Sequence, residues 1–252
     1  MNRNDGWSRW RGWPAALVLL AVCLPAGIGL LHADAASDER IKQRIKNKLS
    51  GQVSLHLESL ELDVRDGAVR LAGSVASVGE RAIIERLVGG LSGVTGITND
   101  LSVRPTGRSE QAIADEVRRL LERRVRFKKS PIDVTASGSD VTLDGTIERA
   151  IDRLDAEVIA GGVTGVTRVI NNLQVVPSGQ TSPQTIRERI LSALGNPLTF
   201  GVIRDLEVVV DGGAVELRGV AVRDADRTQA ERLALGVNGV ISVKNLITVA
   251  RP

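Results

Sequence analysis

The sequence of 252 residues predicts an α+β fold built as three tandem small domains. Three observations predict it. The segment "GVTGITNDLSV" at 93–103 recurs as "GVTRVINNLQV" at 165–175 and as "GVISVKNLITV" at 239–249. An alternating segment closed by glycine also recurs, as "VRLAG", "VTLDG" and "VELRG" ending at Gly73, Gly145 and Gly219, with periods of 72 and then 74 residues. Between these landmarks the same residues stand at the same offsets: Arg81, Arg153 and Arg227, then Glu85, Glu157 and Glu231, then Gly93, Gly165 and Gly239, then Asn99, Asn171 and Asn245. Fixed-period self-similarity over this many positions is the mark of a duplicated domain.

The elements follow in order. A leader comes first: Arg3, Arg9 and Arg11 precede an apolar run from Ala15 to Leu31, and "ADA" at 33–35 offers small residues at a cleavage site. That layout predicts a signal peptide over 1–35. An uncleaved anchor is the competing reading, because 17 apolar residues reach the lower limit for crossing a bilayer. Pro25, Gly27 and Gly29 weaken a helix there, and the residue before Cys23 is Val22 where a lipidation signal wants a small residue.

Each unit then opens on a helix, read from the apolar stripes Ile41–Ile45–Leu49, Ile113–Val117–Leu120–Leu121 and Ile186–Ile190–Leu194. The alternating segments "LELDVR", "IDVTAS" and "LEVVVD" predict a first strand. Asp66-Gly67, Gly138-Ser139 and Gly212-Gly213 turn it into the glycine-closed second strand as a hairpin. Ser77 with Glu80 predicts a capping box on a second helix running to about Leu91. Gly93, Gly165 and Gly239 are expected to end that helix with φ above zero. The quoted segments supply the third strand. A helical crossover between strands two and three favours parallel pairing, so each unit is expected to be a three-stranded mixed sheet with helices on one face. The expected divisions are 37–105, 109–177 and 183–252, with linkers at "RPTGRS" and "PSGQTSP" that leave the units as beads with modest mutual contact.

Composition restricts the chemistry. Cleavage after Ala35 leaves no cysteine, one histidine (His56), no tryptophan and no tyrosine, and takes the formal charge from +3 to +2 by removing three arginines and two aspartates. Neither a metal cluster nor a cysteine–histidine pair assembles from that set. His56 lies in an alternating strand-like segment without a nucleophile-elbow motif, so it reads as a surface residue. "GGLSGVTG" at 89–96 follows a helix and precedes a strand, the reverse of a dinucleotide-binding loop. The Arg–Glu pairs at 81/85, 153/157 and 227/231 have the spacing of ordinary helix-surface ion pairs. No cofactor and no enzymatic activity are expected.

The segments "VRLAGSV", "VTLDGTI" and "VELRGVA", each followed by a helix and one of the three quoted strands, resemble the BON domain of bacterial envelope proteins. The resemblance spans about residues 37–252. It implies an α+β fold, a periplasmic or outer-membrane location, and binding to membrane phospholipid rather than catalysis.

One stretch stands out beside it. "RRLLERRVRFKK" at 118–129 carries seven basic residues against Glu122. On a continuous helix Arg119, Arg123 and Arg126 align opposite the apolar stripe, with Phe127, Lys128 and Lys129 just beyond. A basic face beside an aromatic suits an anionic membrane surface, and these six residues are the expected lipid-binding site. An ordinary solvated helix face is the alternative. Nucleic acid also suits a basic stripe, but an exported chain without tyrosine or tryptophan is poorly placed to bind it. The expected function is therefore an exported, membrane-binding protein supporting envelope integrity or osmotic stress tolerance. A structural adaptor for another envelope protein or peptidoglycan is the second reading.

Overall fold

The computed structural model describes residues 28–52, 55, 59–104, 106–128, 130–195 and 203–250, with side chains from Ala36 onward. The leader up to residue 27, His56 and Lys129 lie outside the described residues. The three repeats share one plan. Repeat 1 comprises α1 (Ile28–Ser50), β1 (Glu61–Arg65), β2 (Ala68–Val75), α2 (Val78–Gly89) and β3 (Gly96–Val103). Repeat 2 comprises α3 (Glu110–Glu122), a single 3-10 turn (Val125–Phe127), β4 (Ile132–Ser137), β5 (Asp140–Ile147), α4 (Ala150–Gly161), β6 (Arg168–Asn171) and β7 (Gln174–Val175). Repeat 3 comprises α5 (Pro183–Leu194), β8 (Ile203–Asp211), β9 (Ala214–Ala221), α6 (Asp224–Leu235) and β10 (Ser242–Val249). The first helix starts earlier than expected, and the backbone of residues 33–35 is helical.

The sheets are mixed, as the crossover argument requires. The first two strands of each repeat pair antiparallel, and the third lies parallel to the second. In repeat 2 the third strand is split into β6 and β7, both paired with β5. Asp66 and Gly67 both take positive φ, as do Gly212 and Gly213. Those angles make the turns whose twist matches that of the strands they join. Asp38 of α1 fastens the first turn, accepting from the N–H groups of Asp66 and Gly67 at 2.8 and 2.9 Å.

The glycine that closes each second strand has a steric cause. A Cβ at Gly73 would stand 1.9 Å from the Ser59 carbonyl oxygen, and one at Gly145 would stand 2.0 Å from that of Pro131. The backbone entering the first strand passes over these positions, and no side chain fits beneath it.

Burial follows the sequence stripes. Ile41, Ile45 and Leu49 pack on Val69, Leu71, Ile84 and Val88 in repeat 1, and equivalent residues build the cores of repeats 2 and 3. Ser77 accepts from the Glu80 N–H, and the Glu80 carboxylate reaches back to the N–H of Ala76, so the capping box forms one residue displaced. The helix ends differ from expectation. Gly90, Gly162 and Gly236 cap the second helices with negative φ. Gly93, Gly165 and Gly239, at φ of 90–95°, instead shape the turn into the third strand. There they lie against Ile41, Thr106 and Thr181 respectively.

Repeats 1 and 2 are more than beads. The N–H of Val78 donates to the Val166 carbonyl at 2.8 Å, and the N–H of Gly165 donates to the Ala76 carbonyl at 2.7 Å. Val78 packs against the core of repeat 2. Gly79 comes so close that a Cβ there would stand 2.7 Å from the Gly161 carbonyl oxygen.

Candidate functional site

The structure brings together part of the expected site and disperses the rest. α3 ends at Glu122, with Arg123 as its C-cap, and does not continue through Phe127. A turn follows, held by Arg124 N–H to Leu121 carbonyl at 2.9 Å and Phe127 N–H to Arg124 carbonyl at 2.9 Å. Phe127 is 4% exposed and belongs to the core of repeat 2, so it does not offer an aromatic to a surface. Its burial explains the early end of the helix: the chain must turn to drive the ring inward, and the area removed from water outweighs another helical turn.

Arg126 is likewise taken up by carboxylates of α4. Its guanidinium meets Asp155 at 2.9 Å and Asp152 at 3.7 Å on α4, and stands 5.4 Å from the Phe127 ring centre. Asp152 is already held by two hydrogen bonds from Arg149, at 2.8 and 2.9 Å. Arg119 is exposed and pairs with Glu116 one turn back. Arg118 is occupied by Asp115 and by the Val134 carbonyl.

Arg123 and Lys128 remain exposed, and Arg124 joins them. Among the described residues these three cations have no carboxylate partner, whereas their neighbours Arg118, Arg119 and Arg126 all do. Two apolar residues of unusual exposure stand by Arg123 and Arg124, Val125 at 80% and Val158 at 68%. An open cleft of about 600 Å³ separates α3 from α4 here, with Leu120, Val158, Ile159 and Gly162 as its apolar lining and Arg123 and Arg124 on it. Arg124, Val125 and Val158 were missed in the sequence. Val125 interrupts a basic run, which was its one visible signal; Val158 lies on the second helix of the repeat, 33 residues further along the chain, and only folding carries it to α3.

The thrice-repeated Glu and Asn meet each other within each repeat. Glu85, Glu157 and Glu231 accept from the side-chain amides of Asn99, Asn171 and Asn245 at 2.8, 3.2 and 3.2 Å, in place of the expected pairing with arginine. The same asparagines turn their carbonyl oxygens to the N–H groups of Leu101, Leu173 and Ile247. Each carboxamide thus ties the third strand to the second helix. Among the described residues no group of His, Cys, Asp and Glu stands in a geometry that holds a metal. None of the described helices is long and apolar enough to cross a membrane.

Comparison with known proteins follows the same three units. The BON domain profile matches residues 37–105, 109–177 and 182–251. Osmotically-inducible protein Y of Escherichia coli (strain K12) is 30% identical over 155 residues, a span of 58% of this chain and 76% of that protein. Among solved structures, the C-terminal domain of CdsD, a structural protein of the Chlamydia trachomatis type III secretion system, aligns over 90% of this chain and 99% of its own at 17% identity. Its TM-score of 0.22 is too low for the likeness to bear on the fold. With three profile matches over most of its length and an α+β unit repeated at each, the chain belongs to the BON domain family.

Proposed function

We propose that the chain is a non-enzymatic, exported envelope protein of the osmotic-stress type that attaches to anionic phospholipid surfaces through the outer edge of repeat 2. The observation that carries this reading is the pairing of unneutralised charge with exposed apolar area. Arg123, Arg124 and Lys128 lack a carboxylate partner among the described residues, the exposed Val125 lies between them in the chain, and the exposed Val158 lines one cleft with Arg123 and Arg124. A headgroup layer satisfies both at once, since basic side chains meet phosphates while short apolar side chains enter the acyl boundary. The relative named for osmotic induction supports the stress role. Membership of the BON family supports a binding module over an enzyme.

Cosedimentation with vesicles tests the proposal. Binding is expected to vesicles containing phosphatidylglycerol, to weaken with salt, and to be absent from pure phosphatidylcholine. Each cation contributes about 1 kcal/mol near an anionic surface, so Arg123→Gln, Arg124→Gln and Lys128→Gln together should weaken binding by about a hundredfold. Equal binding by the parent and this folded triple variant would overturn the site. A parent that ignores anionic vesicles altogether would overturn the lipid reading and leave an adaptor for another envelope component.

A further inference from the structure

We propose that the joint between repeats 2 and 3 is a hinge opened by ionic strength, with Asp155 as its switch. The inference rests on the geometry of the two joints and is independent of lipid binding. The joint between repeats 1 and 2 is closed by two backbone hydrogen bonds and by Val78 seated on the core of repeat 2. The joint between repeats 2 and 3 is of another kind. Among the described residues the cores on either side share no residue, and no backbone hydrogen bond crosses the joint. There α4 and α6 approach each other, and the carboxylate of Asp155 on α4 meets Arg232 of α6 at 3.5 Å.

That carboxylate is shared, with Oδ2 facing Arg126 and Oδ1 facing Arg232. Arg126, in its own repeat, holds it at 2.9 Å, closer than Arg232 does from across the joint. Asp155 is 18% exposed, Arg126 38% and Arg232 48%, so the cross-joint contact has a partly solvated partner on the far side. Between about 0.1 M and about 1 M salt the screening length falls from about 10 Å to about 3 Å, shorter than the contact itself. Screening therefore acts first on the longer, wetter attraction to Arg232, while the closer and less exposed Arg126 keeps the carboxylate. Hydrogen bonds between backbone groups and apolar packing carry no net charge, so repeats 1 and 2 stay together. The outcome is a rigid two-repeat module with a third repeat that swings free as the surrounding ionic strength rises. For an envelope protein exposed to osmotic change, that is a direct physical response to the medium.

Spin-label distance measurements on the full chain test this. In a Cys23→Ser background, one pair of labels at Thr98→Cys and Thr135→Cys spans repeats 1 and 2, and another at Thr135→Cys and Ser242→Cys spans repeats 2 and 3. All three positions are exposed. From about 0.1 M to about 1 M sodium chloride the second distance distribution is expected to broaden about twofold or more while the first stays fixed. Sucrose at matched osmolality should move neither. Arg232→Gln breaks the contact from repeat 3 without touching the core of repeat 2, and should give the broad distribution already at low salt. Asp155→Asn should do the same, with circular dichroism reporting whether repeat 2 remains folded. A second distance that stays sharp at high salt, or in Arg232→Gln, overturns the hinge. Equal broadening of both distances, or an equal response to sucrose, overturns the assignment of the effect to ionic screening at Asp155.

Discussion

Asn171 makes three contacts with one side chain: its amide nitrogen donates to the Arg153 carbonyl at 2.8 Å and to Glu157 at 3.2 Å, and its oxygen accepts from the Leu173 N–H at 3.3 Å. The N–H of the intervening Asn172 donates to the Leu143 carbonyl of β5, so alternation leaves that of Leu173 pointing away from the sheet. The carboxamide thereby satisfies a donor on the open edge of the sheet, where an unpaired strand invites association with another chain. Asn171→Leu removes all three bonds and should destabilise repeat 2 by about 1–3 kcal/mol, the usual cost of a stranded partner, read by urea unfolding. Gly145→Ala should cost at least as much, because a Cβ would collide with the Pro131 carbonyl and φ of 128° already disfavours any side chain. Both positions were visible in the sequence as repeats, but their reasons were not. Glu157 is 14 residues from Asn171 and reaches it only once α4 lies across β6. The i, i+4 spacing of arginine and glutamate pointed to a nearer partner that the fold does not use. Charge at a single residue also sets a pH response. The Asp226 carboxyl is held below its ordinary value, first by the Arg223 side-chain hydrogen bonds at 2.8 and 3.0 Å and then by the Arg223 charge. A lowered carboxyl contributes stability that is full above its unfolded value of about 3.9 and is lost as pH falls through the lower folded value. Arg223→Met should therefore move the acid unfolding of repeat 3 to higher pH, as followed by circular dichroism, with repeats 1 and 2 unmoved.

At the scale of elements, α3 decides where the candidate site lies. Its apolar stripe, Ile113, Val117 and Leu121, is buried where the 3.6-residue period puts it, and Ser109 caps its start by accepting from the Ala112 N–H. Its end was not legible, because "RRVRFKK" has neither the glycine nor the proline that punctuates a helix. What stops it is tertiary: Phe127 reaches the core through a turn, and Arg126 is carried round to Asp152 and Asp155. Charge spacing on an ideal helix therefore groups Arg126 with Arg119 and Arg123, while in the folded chain Arg126 meets the aspartates of α4, and Arg123, Arg124 and Lys128 stay exposed without a carboxylate partner among the described residues. Phe127→Ala should cost about 3–5 kcal/mol in chemical denaturation, the range for a deleted core aromatic, where a membrane-facing ring would cost little. The pairing of α2 with α4 is another consequence of small residues at particular places. Gly79 meets Gly161 backbone to backbone, whereas the equivalents of Gly79 in repeats 2 and 3 are Ile151 and Ala225. The repeat pattern alone gave no sign that one copy of this corner was built for contact.

For the whole molecule, the two linkers look alike in sequence, since both gather proline, glycine and serine, yet the joints they cross differ. The linker after repeat 1 runs beside a closed joint: Thr106 lies against Gly165, and Arg108 donates to the Thr164 carbonyl at 3.4 Å and to the Ala112 carbonyl at 3.1 Å. The linker after repeat 2 is exposed at Ser178, Gly179 and Gln180, as the first is at Thr106 and Gly107, and Thr181 lies against Gly239 as Thr106 does against Gly165. It crosses, however, a joint with no backbone hydrogen bond among the described residues, where Asp155 meets Arg232. Proteases cut where backbone is exposed and free to enter their clefts, so cleavage tracks local opening rather than distance along the chain. Limited digestion with a broad-specificity protease should therefore cut first within 177–183, releasing repeat 3 and leaving repeats 1 and 2 as one fragment that resists further cleavage. Gly79→Leu, which forces a side chain into the Gly161 backbone, should expose the first linker and make the two sites equally sensitive while each repeat stays folded by circular dichroism. If the native chain is instead cut first at 104–109, or equally at both linkers, repeats 1 and 2 do not form the closed unit that their backbone hydrogen bonds describe.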